Sequence, residues 1–124
     1  MIVKNRDATE NWMTYHEEID ATAPEDYYIL INLTNARVDE STVWNDTAPA
    51  ASVFTVGTHD ASNKSSDKYI AYCFAEKKGY SKFGSYTGNG SSSDGTFVYT
   101  GFRPAWVLIK RKNASGHDWV LMGS

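Results

Sequence analysis

Short apolar segments alternate with polar turns along the whole chain. The segments are rich in Tyr, Val, Ile, Phe, Trp and Thr, whereas Gly, Asn, Asp and Ser fill the intervals. Such short runs, which show no helical period, predict strands. They predict about nine strands: Ile2–Lys4, Trp12–Tyr15, Tyr27–Leu33, Ser52–Thr58, Lys68–Ala75, Tyr80–Tyr86, Thr96–Tyr99, Trp106–Arg111 and Trp119–Met122. An all-β fold follows, an antiparallel sandwich of the jelly-roll or concanavalin-like kind.

Two of the segments are apolar on both faces. In Tyr27–Leu33 and Tyr69–Ala75 both alternating sets of side chains are apolar, which is the pattern of a strand covered on each side. We therefore expect these two strands at the centre of the core. Cys73, the single cysteine, lies in the second of them and is predicted to be a buried structural thiol, because a nucleophilic cysteine needs an exposed, electropositive position.

The two ends of the chain are near copies of each other. Val3-Lys4-Asn5-Arg6 followed by Trp12-Met13 reappears as Ile109-Lys110-Arg111-Lys112 followed by Trp119-Val120, with one extra residue in the second spacer. A repeat at this separation indicates one supersecondary unit, a β-hairpin, that is used twice. Residues 1–124 are thus predicted to form a single module from a tandem array, with the hairpin at 2–15 repeated at 108–122. Trp12 and Trp119 are expected to anchor the cores of the two hairpins.

Charge is unevenly spread along the 124 residues, although the net charge is only −3. Residues 1–60 hold 3 basic and 11 acidic side chains, and residues 61–124 hold 9 and 4. Two interpretations stay open: ordinary solvated surface, or opposed patches that guide neighbouring modules into head-to-tail contact. A nucleic-acid partner is not expected, and neither is membrane insertion, because the longest apolar run, Tyr27–Ile31, is far short of the roughly 20 residues that a span needs.

No pattern of catalytic or metal-binding residues is visible. The three histidines are scattered without metal-ligand spacing, so we predict neither a zinc site nor another cofactor. Calcium is an alternative, because turn residues that carry oxygen ligands could converge: Asp60, Asn63, Asp67, Asn89 and Asp94. These residues also suit turns without any ion. A glycosidase would need paired carboxylates, and Glu76 and Asp94 are the candidates we name.

Aromatic side chains next to turns provide the candidate ligand site. Sugars stack their apolar faces on half-exposed rings, while nearby polar side chains take the hydroxyl groups. The loops 60–68 and 87–94 are expected to present such a site. Its predicted residues are Trp44, Tyr80, Tyr86, Asn89, Asp94 and Arg103.

Most of the chain resembles a known but uncharacterised repeat domain. The resemblance lies in Tyr69–Gly90 and Asp94–Arg111, and in the motifs Val3–Arg6 and Val43–Pro49. The domain is common in large virion proteins of tailed bacteriophages, many of them marine, which are often described as tail-fibre or tail proteins. There, a Gly-Tyr-x-Lys block that ends in Tyr-Thr-Gly-Asn-Gly precedes each Val-Lys-Asn-Arg hairpin. Here the block precedes Trp106 but not Ile2, so a truncated first repeat is expected.

The resemblance implies a structural or adhesive virion module with no catalytic residues, made in the host cytoplasm. Its implied partners are other virion subunits or neighbouring repeats, and its implied ligand is a host-surface polysaccharide. Two alternatives stay open. One is a spacer or capsid-decoration module without a ligand, and the other is a glycan-degrading enzyme.

Overall fold

The computed structural model describes residues 1–123, which contain seven strands in two antiparallel sheets. The larger sheet has the order β4-β3-β2-β1-β5, and β6 pairs with β7 in a separate hairpin. The strands are β1 (Ile2–Asn5), β2 (Met13–Thr14), β3 (Tyr27–Leu30), β4 (Val38–Asp39), β5 (Tyr69–Tyr72), β6 (Trp106–Ile109) and β7 (Val120–Gly123). The short helices are a 3-10 turn (Pro24–Asp26), α1 (Ser41–Trp44) and α2 (Asp60–Asn63). The expected antiparallel, strand-dominated fold is confirmed, but the number of strands is seven rather than nine.

The core lies where the first hairpin and β3 meet the two one-turn α-helices. Its buried members are Val3, Met13, Leu30, Val43, Trp44 and Ala61. The indole of Trp44 is 1% exposed, and its Nε1 donates to the carbonyl oxygen of Tyr27 at 3.1 Å. A buried indole needs a partner of this kind, because its N–H loses water on burial. The sheet and the helices are thereby joined through one side chain.

Helix α1 is held by local contacts that the apolar pattern did not predict. Glu40 precedes it and accepts hydrogen bonds from the backbone N and the Oγ1 of Thr42. The helix ends at Asn45, whose φ of 56° lies in the left-handed region. Gly57 packs directly on its backbone and donates its N–H to the carbonyl oxygen of Val43 at 2.9 Å.

Three predicted strands are absent from residues 1–123, because their backbones find no neighbouring strand. Ser52–Thr58 runs beside the core without a ladder, and Phe54 and Val56 are packed against the core cluster. Tyr80–Tyr86 makes one isolated bridge, through Ser81. Thr96–Tyr99 is exposed, with Phe97 at 86%. The apolar residues of these three segments predicted strands, but no neighbouring strand is present in the described part of the chain to pair with them.

The strand expected at the centre from Tyr69 to Ala75 is an edge strand in the structure. β5 pairs with β1 on one side and ends at Tyr72, whereas β3 has a neighbouring strand on each side and buries Ile29 and Leu30. Ile70 is 40% exposed, and Cys73 is also exposed. The prediction of a buried thiol is therefore wrong, since the chain leaves the sheet before it reaches the cysteine.

Both ends of the chain fold into antiparallel hairpins. β1 pairs with β2 through Val3 opposite Met13, and β6 pairs with β7 through Ile109 opposite Val120. The predicted role of the two tryptophans as core anchors is wrong, because neither is fully buried. Both are half-buried: Trp12 stacks on Tyr72 with ring centroids 6.3 Å apart, and Trp119 donates its Nε1–H to the Leu30 carbonyl at 2.8 Å. Among residues 1–123, no helix has the length and apolar character needed to cross a bilayer.

Candidate binding groove

A groove of about 430 Å³ lies in the segment that connects β5 to β6. One wall is formed by the turn after β5 and the other by the residues that lead into β6. The lining residues are Glu76, Lys77, Lys78, Gly79, Ser81, Lys82, Tyr99, Thr100, Gly101 and Phe102. The larger sheet is thus not part of this groove, which is built from the irregular part of the chain.

The first wall is a tight turn closed by backbone hydrogen bonds. The carbonyl oxygen of Lys77 accepts from the N–H groups of Tyr80 and Ser81, each at 2.9 Å. Gly79 adopts a φ of 76°, a conformation that residues with a Cβ rarely take. The Oγ of Ser81 donates to the Ala75 carbonyl at 2.8 Å. The turn therefore holds the lysines on either side of the glycine at one edge of the groove.

The second wall places an aromatic ring beside a glycine. Gly101 has a φ of 78°, and the ring of Tyr99 lies 3.7 Å from the position that a Cβ on Gly101 would occupy. Thr100 donates its Oγ1–H to the carbonyl oxygen of Phe102 at 2.6 Å. Tyr99 remains 78% exposed. The wall thus offers an accessible phenol ring, which can stack on an apolar face and also hydrogen-bond through its hydroxyl group.

The groove is electropositive, since three lysines and one glutamate line it. The Nζ of Lys82 lies 2.7 Å from Oε1 of Glu76, and that oxygen also accepts from the backbone N–H of Phe83. The hydrogen bond from Lys82 lowers the pKa of the Glu76 carboxyl, with the Phe83 amide acting in the same direction. Glu76 is therefore held ionised and balances Lys82, which leaves two lysines to attract an anion.

None of the predicted ligand residues lines this groove, although two of them are next to its lining residues in the sequence. Tyr80 lies in the turn of the first wall and is 77% exposed. Arg103, also exposed, directly follows Phe102 on the second wall. Trp44 is buried in the core, so its prediction as a half-exposed stacking ring is wrong. An aromatic residue beside a predicted turn can be exposed in a loop or buried by a short helix, and the sequence pattern does not distinguish these two cases.

The loop 87–94 is shaped by hydrogen bonds of its own. Asn89 donates its Nδ2–H to the carbonyl oxygen of Asp94 at 2.8 Å and accepts from the N–H of Ser91 at 3.0 Å. Thr96 closes the loop through a bond to the Thr87 carbonyl at 2.9 Å. The Asn89 amide thus has an internal role. Tyr86, just before the loop, is 50% exposed, and neither it nor the two predicted loop residues lines the groove.

The loop residues considered for calcium do not form a metal site with other acidic side chains. Within residues 1–123, no three His, Cys, Asp or Glu side chains are grouped so that they could hold a metal ion. Asp67 accepts through Oδ2 from the buried amide of Asn5, and Asn63 donates its Nδ2–H to the Gly57 carbonyl. These contacts give the two loop residues structural roles in the first sheet.

A second cleft, also of about 430 Å³, lies where the C-terminal hairpin meets the end of β3. It is lined by residues 31–34 together with Asp118 and Trp119. Gly116 donates its N–H to the Thr34 carbonyl at 3.0 Å across this junction. The cleft contains no cationic lining residue, so we take it as the seam between two hairpins rather than as the ligand site.

Sequence reasoning missed the lysines and Tyr99 as site residues. The available signal was the motif Glu76-Lys77-Lys78-Gly79 with Lys82 two residues beyond Tyr80, a local cluster of charge in an otherwise acidic chain. The positions of the aromatic residues do not reveal this cluster, and the excess of basic residues across residues 61–124 conceals it.

Comparison with known proteins identifies a family but no activity. The family model for a domain of unknown function, DUF7483, matches residues 1–124, so the chain belongs to that family. No curated protein and no solved structure shows significant similarity to it.

Proposed function

We propose that this member of the DUF7483 family is a non-catalytic virion module that binds acidic host-surface polysaccharide in the groove of the segment that connects β5 to β6. The observation that carries the proposal is the lining of that groove, which combines Lys77 and Lys78 with the exposed ring of Tyr99. Lysine ammonium groups attract carboxylates, and a phenol ring stacks on the C–H face of a sugar. The virion setting rests on the resemblance to tail-fibre and tail proteins of phages.

The groove is open, so we expect weak binding at a single site. An exposed ion pair contributes about 0.2–1 kcal/mol, and two such pairs therefore change affinity by roughly 2- to 30-fold. Repetition of the module on a fibre multiplies that affinity without any new contact. Partners of the module in the virion are then neighbouring repeats and other fibre subunits.

The test uses a uronate-rich polysaccharide displayed multivalently and the same polysaccharide with its carboxylates reduced to alcohols. We expect the purified chain to bind the acidic form and to lose binding in high salt. The double variant Lys77→Gln, Lys78→Gln should weaken binding by roughly 2- to 30-fold per site. Its matched control is Lys64→Gln, Lys68→Gln, which removes the same charge from exposed positions outside the groove.

Three results would overturn the proposal. They are equal binding of the acidic and reduced polymers, equal effects of the two double variants, and no binding to any acidic polymer. Tyr99→Ala should also weaken binding, whereas Phe97→Ala, which is exposed and outside the groove, should not. Loss of binding on chelation would show that a calcium ion takes part, and the groove lysines would then not suffice.

The enzyme alternative is disfavoured because, among residues 1–123, a single carboxylate, Glu76, lines the groove. A glycosidase needs both a protonated carboxylic acid and an ionised carboxylate. The bond from Lys82 lowers the Glu76 pKa, which suits the ionised role but not that of the general acid. If the protein nevertheless depolymerised a glycan, Glu76→Gln would remove that activity, whereas we expect no activity in either form.

The spacer alternative is favoured by the C-terminal hairpin, whose strands pair only with each other among residues 1–123. A hairpin with two open edges is suited to pairing with strands of another module. We propose that the two antiparallel sheets become a sandwich when further strands extend this hairpin. A spacer role and a glycan groove are compatible within one module.

A further inference from the structure

We propose that the C-terminal hairpin is the first hairpin of a second copy of this fold and is completed by residues 15–72 of that copy. The hairpin comprises β6, β7 and the turn between them. The proposal concerns assembly and does not depend on the glycan groove. It rests on an equivalence between the two hairpins in register, in polar contacts and in apolar pattern.

The register of the two hairpins is the same. Val3 lies opposite Met13 in the first, and the matching residues Ile109 and Val120 lie opposite each other in the second. The extra residue of the second spacer is absorbed in the turn. Because side chains alternate between faces, equal register puts equivalent residues on equivalent faces.

The same lysine contact recurs in both hairpins. The Nζ of Lys4 donates to the carbonyl oxygen of Asn5 at 2.8 Å, and the Nζ of Lys110 donates to that of Arg111 at 3.2 Å. Each ammonium group also bonds a carbonyl of its own turn, but at non-equivalent positions: Ala8 at 3.3 Å and His117 at 2.7 Å. Lys110 makes a further bond to the Thr34 carbonyl at 3.3 Å. The contact from the lysine to the next carbonyl is thus what the two hairpins share in three dimensions.

The two hairpins differ in what surrounds them. β2 pairs with β3, and β1 pairs with β5, so both edges of the first hairpin are occupied. Val3 and Met13 are consequently 2% and 1% exposed. Of their equivalents, Ile109 is half-buried and Val120 is 50% exposed. The second hairpin thus has an apolar face of the same design, without the neighbours that cover the first.

Further apolar residues at the second hairpin point the same way. Met122 is on the same face as Val120 and is 49% exposed. It is the equivalent of Tyr15, which packs against the core cluster. A pair of strands with both edges open is marginal in water, and exposed apolar edges favour pairing with another chain.

The elements that cover the first hairpin indicate which segment would cover the apolar face of the C-terminal hairpin. Leu30 of β3, the residues of α1 and Ala61 of α2 bury Val3 and Met13. In this chain those elements are already in use by the first hairpin. They must therefore come from a second copy, and the alignment of Met122 with Tyr15 sets where that copy continues. β3 of the second copy would pair with β7, and its β5 would pair with β6.

The test is a fusion protein in which residues 1–121 are followed directly by residues 15–123. The second copy then lacks a first hairpin of its own and can fold only on β6 and β7 of the first. We expect slow hydrogen exchange at the backbone amides of β6 and β7, which should exchange rapidly in the unfused chain. We also expect a second protected indole N–H, from Trp44 of the second copy, measured by NMR with segmental labelling.

Paired variants make the outcome specific to the proposed face. Val120→Lys in the first copy should abolish the protection of the β6 and β7 amides from hydrogen exchange in the fusion protein. The same change should leave the unfused chain stable. Val98→Lys is the matched control, since Val98 is 48% exposed and lies outside the hairpin. An unprotected second copy overturns the proposal, whether or not the first copy stays folded. Equal effects of the two variants would do the same.

Discussion

Asn5 is a buried polar side chain around which the edge of the first sheet is organised. It is 1% exposed and lies at the end of β1. Its Nδ2 donates to Asp67 Oδ2 at 2.8 Å, to the Tyr69 hydroxyl at 3.1 Å and to the Asp60 carbonyl at 3.3 Å. Its Oδ1 accepts from the backbone N–H groups of residues 7 and 8, at 2.8 and 3.0 Å. One amide thus joins β1, its turn, α2 and the approach to β5.

Asn5→Ala should destabilise the protein by about 2–4 kcal/mol. A hydrogen bond contributes roughly 0.5–1.5 kcal/mol net, and a buried group left without a partner costs about 1–3 kcal/mol. Some of the five bonds can be replaced by water, because Asp67 and Tyr69 are only partly buried. For a chain of this size the change corresponds to a loss of roughly 10 °C in melting temperature. Urea denaturation followed by tryptophan fluorescence measures it.

The control is Asn35→Ala, because Asn35 is exposed in a loop of the described part of the chain. We expect that change to stay within about 0.5 kcal/mol of the parent. A loss below about 1 kcal/mol for Asn5→Ala, or equal losses for both variants, would refute the view that the amide organises the sheet. Asn5→Asp sharpens the test. It places a carboxyl group against Asp67, so the variant should lose further stability as the pH rises above about 4.

Three further changes test other parts of the fold. Thr14→Val should raise the free energy of unfolding by about 1 kcal/mol in urea denaturation, because the buried Thr14 hydroxyl has no hydrogen-bond partner within residues 1–123. A loss of stability would contradict this, since it would show that the hydroxyl makes a stabilising hydrogen bond. Gly57→Ala should cost about 1–3 kcal/mol in the same assay, because its Cβ would clash with the backbone carbonyl of Thr42 in α1. A neutral result would mean that the helix shifts freely. Hydrogen bonds from Thr22, then from Arg37, lower the Asp20 pKa, so this carboxylate stabilises the fold above about pH 4 and loses that effect as the pH falls. In Asp20→Asn the free energy of unfolding should therefore depend less on pH below about pH 4, as measured by acid titration. An unchanged pH profile would contradict this role of Asp20.

The predictable strands of the first sheet are those with a pronounced apolar pattern of their own. β3 lies within its predicted range, β1 extends one residue beyond its predicted range to Asn5, and each has a partner on both sides. β4 was missed because Val38–Asp39 is too short to produce a pattern. The helix that ends at Trp44 was missed for a related reason, since a single turn is stabilised by packing of the indole and by the Glu40 cap rather than by periodicity.

The candidate groove was only partly predictable, because its residues come from two walls about twenty residues apart. The predicted residues Tyr80 and Arg103 are next to lining residues in the sequence but do not line the groove themselves, and the lysines beside Tyr80 were not predicted. The sequence contains the cluster of charge, but whether Lys78 and Tyr99 face one another depends on how the irregular segment folds back. Regular periodicity carries no information on that point, since residues 77–102 contain a single isolated bridge and no ladder.

The two hairpins show that burial is set by context as well as by side-chain type. Val3 and Ile109 match in sequence and register, yet one is in the core and the other is only half-buried. If a second copy completes the C-terminal hairpin, each copy of the fold lies at a repeat of about 107 residues, with its groove between one hairpin and the next. Weak sites held at a constant spacing on a stiff array engage a polymeric ligand together. The assembly proposed from the hairpins would therefore supply the avidity that a shallow, lysine-lined groove needs.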